Sequence, residues 1–420
     1  MLHKIMNPYH RLESWQKTLY LMLVVQVLSA TGFSTIFPFL PLYVEELGSV
    51  NGWSVEFSVG VVYAVSNFSM MFASPIWGAL SDRFGRKIMV QRATFGAAIL
   101  IFLMAFARSA EDLVIIRAVQ GLFTGVVSAI SALVASQAPR ERMGYAMGMI
   151  QVGLWGGVAL GPVIGGAIAD ATSYQTTIVV TAILLAGSGF LVSIVKENFT
   201  PIDKGQQKPK SMLANWGQII TTPGVSTTLT LRFMSNLARM AIYPILPLFL
   251  ATLLTETDGF NTFTGLMFGV TAAASTATAV YLGKLGDRIG HRKIVLACAF
   301  LTGALYILQS QVGNEWQLFI LQGLTGAAAG GILPALSALL ARYTKPGEEG
   351  SVYGIDNGVG AGGRAVSPLV GSGVAILFDL RSAFVATGIV FMGIGAIALF
   401  FLPKSEAIVH KHKEEGVSQA

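Results

Sequence analysis

Two stretches of the chain read almost alike: residues 78–85 are GALSDRFG, and residues 283–290 are GKLGDRIG, 205 positions further on. A second pair, FPFLPLY at 37–43 and YPILPLF at 243–249, is separated by 206 positions. Two shorter pairs follow in the same order, namely Gln120-Gly121 with Gln322-Gly323 and Gly161-Pro162 with Ser367-Pro368. Four matches at nearly one spacing predict that the chain consists of two halves related by a parallel repeat.

The composition excludes a soluble globular protein of this length. Only 12% of the 420 residues are charged and 53% are hydrophobic, whereas soluble chains carry about 25% charged residues. Apolar runs near or above the ~20 residues that cross a bilayer recur along the whole chain. We predict twelve transmembrane helices, at residues 18–44, 57–80, 88–107, 113–137, 144–169, 176–195, 225–254, 263–282, 294–312, 317–341, 352–378 and 382–402.

The repeat divides these spans into two six-helix bundles, so the predicted fold class is an all-α polytopic membrane protein. The predicted parts are an N-terminal bundle at 1–195, a cytoplasmic linker at 196–224, a C-terminal bundle at 225–402 and a cytoplasmic tail at 403–420. Parallel six-span repeats place a substrate site near the middle of the membrane, between halves that rock to alternate access. This organisation is typical of a secondary transporter.

The positions of lysine and arginine predict the orientation in the membrane. The loops on the side of both termini hold most of the basic residues, whereas the opposite loops hold only Arg108 and Arg381. Both termini are therefore expected in the cytoplasm, and the first span is expected to stay attached because it is too long for a signal peptide. The net charge of +6 follows from this bias. No loop joins a basic stripe to stacking aromatics, so nucleic acid is not an expected partner.

The loop at 78–85, continued by Arg86 and Lys87, resembles the signature loop of the major facilitator superfamily, and the chain resembles that superfamily over essentially its full length. In the superfamily this loop latches the two halves in one conformation. The resemblance implies a gating role for four residues, Asp82, Arg83, Gly85 and Arg86. Gly85 also permits a tight turn between two antiparallel helices. The alternative is a loop that only anchors the topology.

Two further stretches resemble motifs of the superfamily. Residues 117–121, RAVQG, are similar to a motif in which an intramembrane arginine is tied to proton coupling. Arg117 needs a cavity or a partner there, because inserting an arginine costs about 2.5–3.5 kcal/mol. Residues 157–166, GVALGPVIGG, resemble the motif of the antiporter branch, in which small residues let helices approach closely and proline bends the span. The positions this assigns to conformational change are Gly157, Gly161, Pro162, Gly165 and Gly166.

In the superfamily the first, fourth, seventh and tenth spans line the cavity, which implies where substrate is bound. The polar residues of the seventh span are spaced four, three and four apart and share one helical face, and repeat symmetry transfers this face to the first span. The predicted substrate-binding residues are Gln26, Phe33, Phe37, Gln120, Arg232, Asn236, Arg239, Tyr243, Gln322 and Arg364. Generic helix packing is the alternative for the glycine-rich motif at residues 157–166.

A proton carrier needs a carboxylate that can be protonated near neutral pH, and Asp356 is the one placed clearly inside a predicted span. Asp356 acts either as the carrier or as a structural partner of Arg364 or Arg232, and both alternatives stay open. Arg117 is the second residue assigned to proton coupling. The four arginines counted inside spans, Arg117, Arg232, Arg239 and Arg364, outnumber this single aspartate, which favours anionic or zwitterionic substrates.

The predicted function is secondary active export of amphipathic drugs or small organic solutes in exchange for protons, as the resemblance to multidrug-resistance efflux members implies. The alternatives are a dedicated exporter or flippase of an anionic or zwitterionic metabolite, sugar or lipid, and a non-transporting membrane receptor. An enzyme is not expected, because all five histidines lie in predicted loops or tails.

No cofactor, metal or nucleotide is expected. Gly358, Gly360 and Gly363 spell G-x-G-x-x-G, but they lie inside an apolar helix with no preceding strand, where a dinucleotide-binding turn does not form. The expected partners are a small-molecule substrate, protons and membrane lipid. We expect a monomer in the cell membrane, that is, the inner or plasma membrane.

Overall fold

A computed structural model describes residues 13–123, 125–139, 142–195, 197, 224–254, 258–344 and 349–403, together with the backbone but not the side chains of 74, 75, 78, 79, 82, 83, 144, 349–351, 353 and 354. The regular secondary structure of this part of the chain is helical, which confirms the predicted all-α fold class. Its sixteen helices are α1 (Ser14–Thr35), α2 (Leu40–Leu47), α3 (Val55–Phe84), α4 (Arg86–Met104), α5 (Ala110–Phe123), α6 (Val126–Gln137), α7 (Met143–Ala171), α8 (Tyr174–Ser193), α9 (Val225–Ala241), α10 (Ile245–Ala251), α11 (Phe260–Ile289), α12 (His291–Gln309), α13 (Glu315–Ala329), α14 (Ile332–Tyr343), α15 (Glu349–Leu377) and α16 (Leu380–Phe401).

Eleven segments of the described chain are long and apolar enough to cross a bilayer, and they coincide with the predicted spans one to ten and twelve. The helix missing from this set is α15, although it has 29 residues. Its many glycines and its polar residues, among them Asp356, Asn357 and Arg364, lower its mean hydropathy. A span with such a low mean hydropathy is expected to contact protein or a cavity and not lipid.

Four of the predicted spans are interrupted, although the sequence analysis treated each as one continuous run. The interruptions separate α1 from α2, α5 from α6, α9 from α10 and α13 from α14. Pro38 and Pro244 explain the first and third, because proline has no N–H to donate within a helix. Gly125, with a φ of 120°, stands immediately before α6. Since the breaks fall at equivalent places in the two halves, the repeat is visible in the backbone as well as in the sequence.

The chain divides into two compact units, which we call unit 1 (Met1–Gln206 with Glu256–Gly269) and unit 2 (Gln207–Thr255 with Val270–Ala420). Unit 1 contains two apolar clusters, one that includes Phe39 and Ile101 and one that includes Met22 and Val90. The beginning of α11, up to Gly269, belongs to unit 1. The division predicted from the sequence, with boundaries at 195, 224 and 402, stays a prediction.

Lys87 and Arg292 occupy equivalent positions of the repeat and cap equivalent helices. Nζ of Lys87 donates to the carbonyls of Ser193 and Val195 at 2.8 and 2.6 Å, at the end of α8. Arg292 donates to the carbonyls of Ala398 and Leu399 at 3.3 and 2.5 Å, at the end of α16. A cation at a helix C-terminus satisfies carbonyls that have no partner within the helix. Each half therefore ties the start of its third span to the end of its sixth.

The tight turn predicted at Gly85 is confirmed by its backbone. Gly85 has φ 95° and ψ 154° between α3 and α4, and its repeat partner Gly290 has φ 96° and ψ 130° between α11 and α12. Positive φ values of this kind are accessible almost exclusively to glycine. The glycine is therefore required by the turn itself, whatever further role the loop has in gating.

We expect Gly85→Ala to lower the free energy of unfolding by about 1–3 kcal/mol, the usual cost of a non-glycine residue in this region of backbone space. Gly148→Ala is the matched control, because Gly148 lies in α7 with no positive φ and its added Cβ meets nothing within 4 Å. Denaturant unfolding of the two purified variants in detergent measures the difference. Equal unfolding curves for both variants would show that the turn is not strained by a side chain.

Candidate functional site

A buried ion pair joins α9 to α15 within unit 2. Nη2 of Arg232 lies 2.7 Å from Oδ2 of Asp356, and Nη1 of Arg232 donates to the carbonyl of Leu333 at 3.2 Å. Asp356 is only 3% exposed, so its charge has lost nearly all hydration and depends on the arginine for compensation. Of the two partners considered for Asp356, the ion pair is therefore formed with Arg232.

Asn236 connects this ion pair to Arg364. Its Nδ2 donates to the carbonyl of Arg232, one turn earlier, at 2.9 Å, and its Oδ1 lies 3.5 Å from Nη1 of Arg364. Two glycines of α15 leave room for these side chains. A Cβ on Gly360 would lie 3.4 Å from both Arg364 Nη1 and Asn236 Nδ2, and one on Gly363 would lie 3.1 Å from Cβ of Asn236. The structure therefore brings four predicted polar residues together, and Gly360 and Gly363 permit their packing.

Arg239 of α9 and Tyr243, which follows this helix, lie beside a second tyrosine, Tyr306. Arg239 interacts electrostatically with Tyr243 and with Tyr306 of α12, and Tyr306 stacks on Phe391 with ring centroids 5.7 Å apart. The sequence analysis missed Tyr306, because a single tyrosine in an apolar span carries no distinguishing signal. Neither Arg239 nor Arg364 forms an ion pair with a carboxylate among the described residues.

Two predicted residues of unit 1, Phe37 and Arg117, lie against Tyr63, which was not predicted. Phe37 stacks on the Tyr63 ring with centroids 6.3 Å apart, and the Tyr63 hydroxyl donates to the Phe37 carbonyl at 3.3 Å. The guanidinium carbon of Arg117 lies 6.0 Å from the same ring. Nη1 of Arg117 donates to Oε1 of Gln120 at 3.1 Å. Arg117 thus has an aromatic ring and an amide as partners inside the span.

The other predicted residues of the first span are packed inside unit 1. Gln26 is fully buried, and a Cβ added to Gly153 of α7 would lie 3.4 Å from its own Cβ. Neither polar atom of the Gln26 amide has a hydrogen-bond partner in the described chain, which costs about 1–3 kcal/mol. Phe33 is half-buried and packs against both apolar clusters. That Gln26 meets substrate stays a prediction.

The repeat register of the fourth and tenth spans differs from the one predicted. A Cβ on Gly121 would lie 2.2 Å from a carbonyl of α3, and a Cβ on Gly326 would lie 2.4 Å from the equivalent carbonyl of α11. Gly323, the predicted equivalent, meets only a side chain, at 3.3 Å. The matching pair is therefore Gly121 with Gly326, and Gln322 corresponds to Arg117 and not to Gln120. Gln322 is buried, and its Nε2 has no hydrogen-bond partner among the described residues.

The glycines of the antiporter-like motif form the contact between α7 and α1. Those that face α1 are Gly157, Gly161 and Gly165, spaced four apart, and Gly153 precedes the motif at the same spacing. An added Cβ would lie 2.0 Å from the Ser34 hydroxyl at Gly161 and 2.0 Å from the Thr35 carbonyl at Gly165. The Ser34 hydroxyl also donates to the carbonyl of Gly157 at 3.2 Å. The absence of side chains is therefore what permits the two backbones to approach this closely.

The other edge of the same motif packs against the beginning of α11, within unit 1. A Cβ on Gly166 would lie 2.0 Å from the carbonyl of Asn261, and a Cβ on Gly265 would lie 2.1 Å from the carbonyl of Pro162. Asp170, one turn after Gly166, accepts the backbone N–H of Asn261 at 3.1 Å and that of the following residue at 2.7 Å. The motif thus gives α7 two glycine-lined faces, each against a different helix.

The signature loop is held by a residue that the sequence analysis placed in the linker. The carboxylate of Glu197 accepts the backbone N–H groups of Arg86 and Lys87 at 3.0 and 2.8 Å, at the beginning of α4. Asp82 and Arg83 lie in the last turn of α3, but their side chains are outside the described part of the structure. Their gating role stays a prediction. The sequence around Glu197 does not indicate that its side chain binds this loop.

A fifth arginine inside a predicted span is Arg92 of α4, which lies near the beginning of that helix. Its guanidinium carbon lies 3.4 Å from the ring centroid of Trp77. Arg92 follows Lys87, the last basic residue of the signature loop, by only five positions, so the sequence alone does not distinguish it from that loop. In the described chain no group of three His, Cys, Asp or Glu residues is arranged to hold a metal ion.

These features define a class of protein: a polytopic helical membrane protein with two repeated halves, interrupted spans and a buried polar cluster is a secondary transporter and not an enzyme. The chain belongs to the major facilitator superfamily, whose family model matches residues 22–253 and 228–419. Multidrug resistance protein MdtG of Proteus mirabilis is 34% identical over 390 residues, which cover 92% of this chain and 96% of that protein. The MdtG protein of Serratia proteamaculans is 33% identical and covers 92% of this chain and 93% of its own.

Solved structures show the same fold at low sequence identity. The nucleoside transporter NupG has a TM-score of 0.75 at 11% identity and covers 92% of this chain and 100% of its own. The human organic anion transporter MFSD10 has a TM-score of 0.65 at 18% identity. The match covers 92% of this chain and 100% of the MFSD10 chain. At these identities the likeness extends to the fold alone.

Proposed function

We propose that the protein exports amphipathic drugs or small organic solutes in exchange for protons, by alternating access. The proposal is supported by relatives that are named multidrug resistance proteins and match this chain over nearly their whole length. It is also supported by the glycine motif of α7. The bias of basic residues to one set of loops favours cytoplasmic termini, and we place the protein in the cell membrane as a monomer.

The polar cluster of α9 and α15 is the substrate site in this proposal. Arg239 and Arg364 carry positive charge without a carboxylate partner among the described residues, whereas Asp356 is paired with Arg232. Such a site holds an acidic group of the substrate on the unpaired arginines, because charge-assisted hydrogen bonds from arginine to carboxylate or phosphate are strong. A basic group of the same substrate competes with Arg232 for Asp356. The favoured substrates are therefore zwitterionic.

Proton exchange follows from this competition at Asp356. A substrate cation binds the aspartate only when the carboxylate is ionised, so a proton on Asp356 and the basic group of the substrate exclude each other. A purely anionic substrate behaves in the opposite way, since protonation of Asp356 frees Arg232 to bind it. Coupling by exchange is therefore a property of substrates that carry a basic group.

We expect Asp356→Asn to change the binding of these two classes in opposite directions. The apparent affinity for a zwitterionic fluoroquinolone decreases because its basic group loses the carboxylate, and that for a monoanion such as salicylate increases because Arg232 is no longer paired. Tryptophan fluorescence or radioligand binding to purified protein measures both. The same change for both ligands would contradict the assignment of Asp356 as the shared site.

Arg239→Glu is expected to reduce resistance of cells to zwitterionic and anionic drugs by about tenfold or more, because a charge-assisted hydrogen bond contributes about 1.5–3 kcal/mol. Resistance to lipophilic cations such as ethidium is expected to persist. Arg108→Glu is the matched control, since Arg108 is exposed in a loop. A loss confined to cations would contradict the charge argument, and transport of one narrow substrate class would favour a dedicated exporter or flippase.

The gating and relay residues complete the proposal. Arg117, held between Tyr63 and Gln120, is the proposed relay between protonation and conformational change in unit 1. The signature loop, with Asp82, Arg83, Gly85 and Arg86, is the proposed latch. The glycines of α7 are the surfaces on which its neighbours slide. Support for the relay rests on the cost of an intramembrane arginine, which is rarely retained without a function.

A further inference from the structure

Arg92 has an unusual environment for a charged residue inside a transmembrane helix. Its Nε and Nη1 are buried and have no hydrogen-bond partner in the described chain, and it forms no ion pair with a described carboxylate. Its guanidinium carbon lies 3.4 Å from the ring centroid of Trp77. Stacking on a ring leaves the edge of the guanidinium, where all its N–H donors lie, unsatisfied. A buried donor without a partner is costly, so the site is incomplete without an acceptor.

The neighbours of Arg92 fix the ring on which its guanidinium stacks. Nε1 of Trp77 donates to the carbonyl of Leu122 at 2.6 Å, so the indole cannot rotate away. Phe123 packs against the same indole with centroids 6.3 Å apart, and a Cβ on Gly96, one turn after Arg92, would lie 3.2 Å from Phe123. Helices α3, α4 and α5 therefore build a rigid platform that orients the arginine.

The depth of Arg92 matches the boundary between hydrocarbon and headgroups. It lies six residues after the start of α4 at Arg86, which is about 9 Å along a helix axis. Side chains on a helix point back towards its N-terminus, so the guanidinium lies nearer that end than its Cα and can snorkel further. Tryptophan is itself enriched at this level of a membrane. At this depth a membrane offers the phosphate groups of its phospholipids as acceptors.

The exposed surface around the platform is apolar. Ile76 precedes Trp77, Ile88 lies one turn before Arg92, and Leu122 carries the carbonyl that binds the indole; all three are exposed. In a membrane protein exposed apolar side chains contact acyl chains. The cation is thus approached from the lipid phase. The nearby Lys87 does not compete, because its Nζ is engaged by the carbonyls at the end of α8.

We propose that Arg92, stacked on Trp77, binds the phosphate of an anionic phospholipid at the lipid-facing surface of unit 1. A guanidinium donates two parallel hydrogen bonds to one phosphate, and a phosphate supplies the acceptor that the described chain does not offer to Arg92. The acyl chains lie on the exposed apolar residues of α3, α4 and α5. This site is separate from the proposed substrate cluster, which belongs to unit 2, and it does not depend on drug export being the function.

The test is lipid binding to the purified full-length protein in detergent. Native mass spectrometry and thermal unfolding are recorded with added phosphatidylglycerol, phosphatidylethanolamine or inorganic phosphate. We expect wild type to retain phosphatidylglycerol and to be stabilised by it, and Arg92→Gln to bind it about tenfold more weakly, in line with the loss of a charged hydrogen bond. Arg108→Gln, an exposed arginine changed in the same way, is expected to bind as wild type does.

Further variants separate binding from folding and the two sources of phosphate. Arg92→Lys keeps the charge but not the planar fork, so intermediate affinity is expected even if Arg92→Gln is poorly folded. Phosphatidylglycerol binding that is unchanged in both variants would overturn the proposal. Stabilisation by millimolar inorganic phosphate that equals the effect of lipid and is lost in Arg92→Lys would also overturn it, because the site would then take a soluble anion.

Discussion

Replacing Gly165 by alanine is expected to abolish transport, although it adds one methyl group. The new Cβ would lie 2.0 Å from the carbonyl oxygen of Thr35, at the end of α1 and next to the interruption of the first span. Because a backbone atom cannot turn away as a side chain can, the two helices must separate. Overpacking of this kind costs about 1–3 kcal/mol or more. Transport by alternating access requires these helices to keep their contact while the spans move.

The matched control is Gly156→Ala on the same helix. Nothing lies within 4 Å of a Cβ added at Gly156, and alanine is favoured over glycine in a helix by about 0.8–1.0 kcal/mol. Cells that express Gly156→Ala are expected to keep full drug resistance, and those that express Gly165→Ala to become as sensitive as cells without the protein. Membrane levels of both variants are compared by immunoblot. Equal resistance at equal levels would refute a packing role for the motif.

The second large effect is expected from the ion pair between Arg232 and Asp356. Removing one partner of a buried pair leaves an uncompensated charge and costs about 3–5 kcal/mol. We therefore expect Arg232→Gln to be strongly destabilised in denaturant unfolding. The double variant Arg232→Gln with Asp356→Asn is expected to be more stable than Arg232→Gln alone, because both charges are gone.

A double-mutant cycle measures this coupling directly. Asp287→Asn is the control for the aspartate, since Asp287 is exposed and its side chain lies 3.2 Å from His291 on the surface. A transport assay separates the stability effect from proton coupling, because the double variant is expected to fold but not to exchange protons for substrate. If the two single changes destabilise additively, the pair is not energetically coupled in the membrane-embedded protein.

The sequence predicted the features that depend on period and spacing. The offset of about 205 residues revealed the repeat, and Gly85 was recognisable because a turn between antiparallel helices needs a residue without a side chain. The stripe of Arg232, Asn236 and Arg239 could be placed on one face of a helix from spacing alone. Its meeting with Asp356 was only an alternative, because spacing within one helix does not show which helix lies opposite.

What the sequence did not reveal depends on tertiary packing. The sequence matched Gln322-Gly323 to Gln120-Gly121, whereas the structural equivalent of Gly121 is Gly326. A dipeptide is too short to determine the register of the repeat. Tyr63 and Tyr306 are single aromatic residues in apolar spans, and Glu197 returns to the signature loop from beyond the sixth span. The interruption of the tenth span was not predicted. Gly330 and Gly331, the two residues between α13 and α14, keep helical backbone angles.

Proton movement in reconstituted liposomes tests the central claim most directly. Vesicles that hold the purified protein and a pH-sensitive dye are given a gradient of norfloxacin, a zwitterion, with the membrane potential clamped. Protons are expected to move against the direction of substrate movement, and this proton flux is expected to be absent in the double variant Arg232→Gln with Asp356→Asn, from which both buried charges are removed. Protons that move with the substrate, or a proton flux unchanged in the double variant, would contradict this claim.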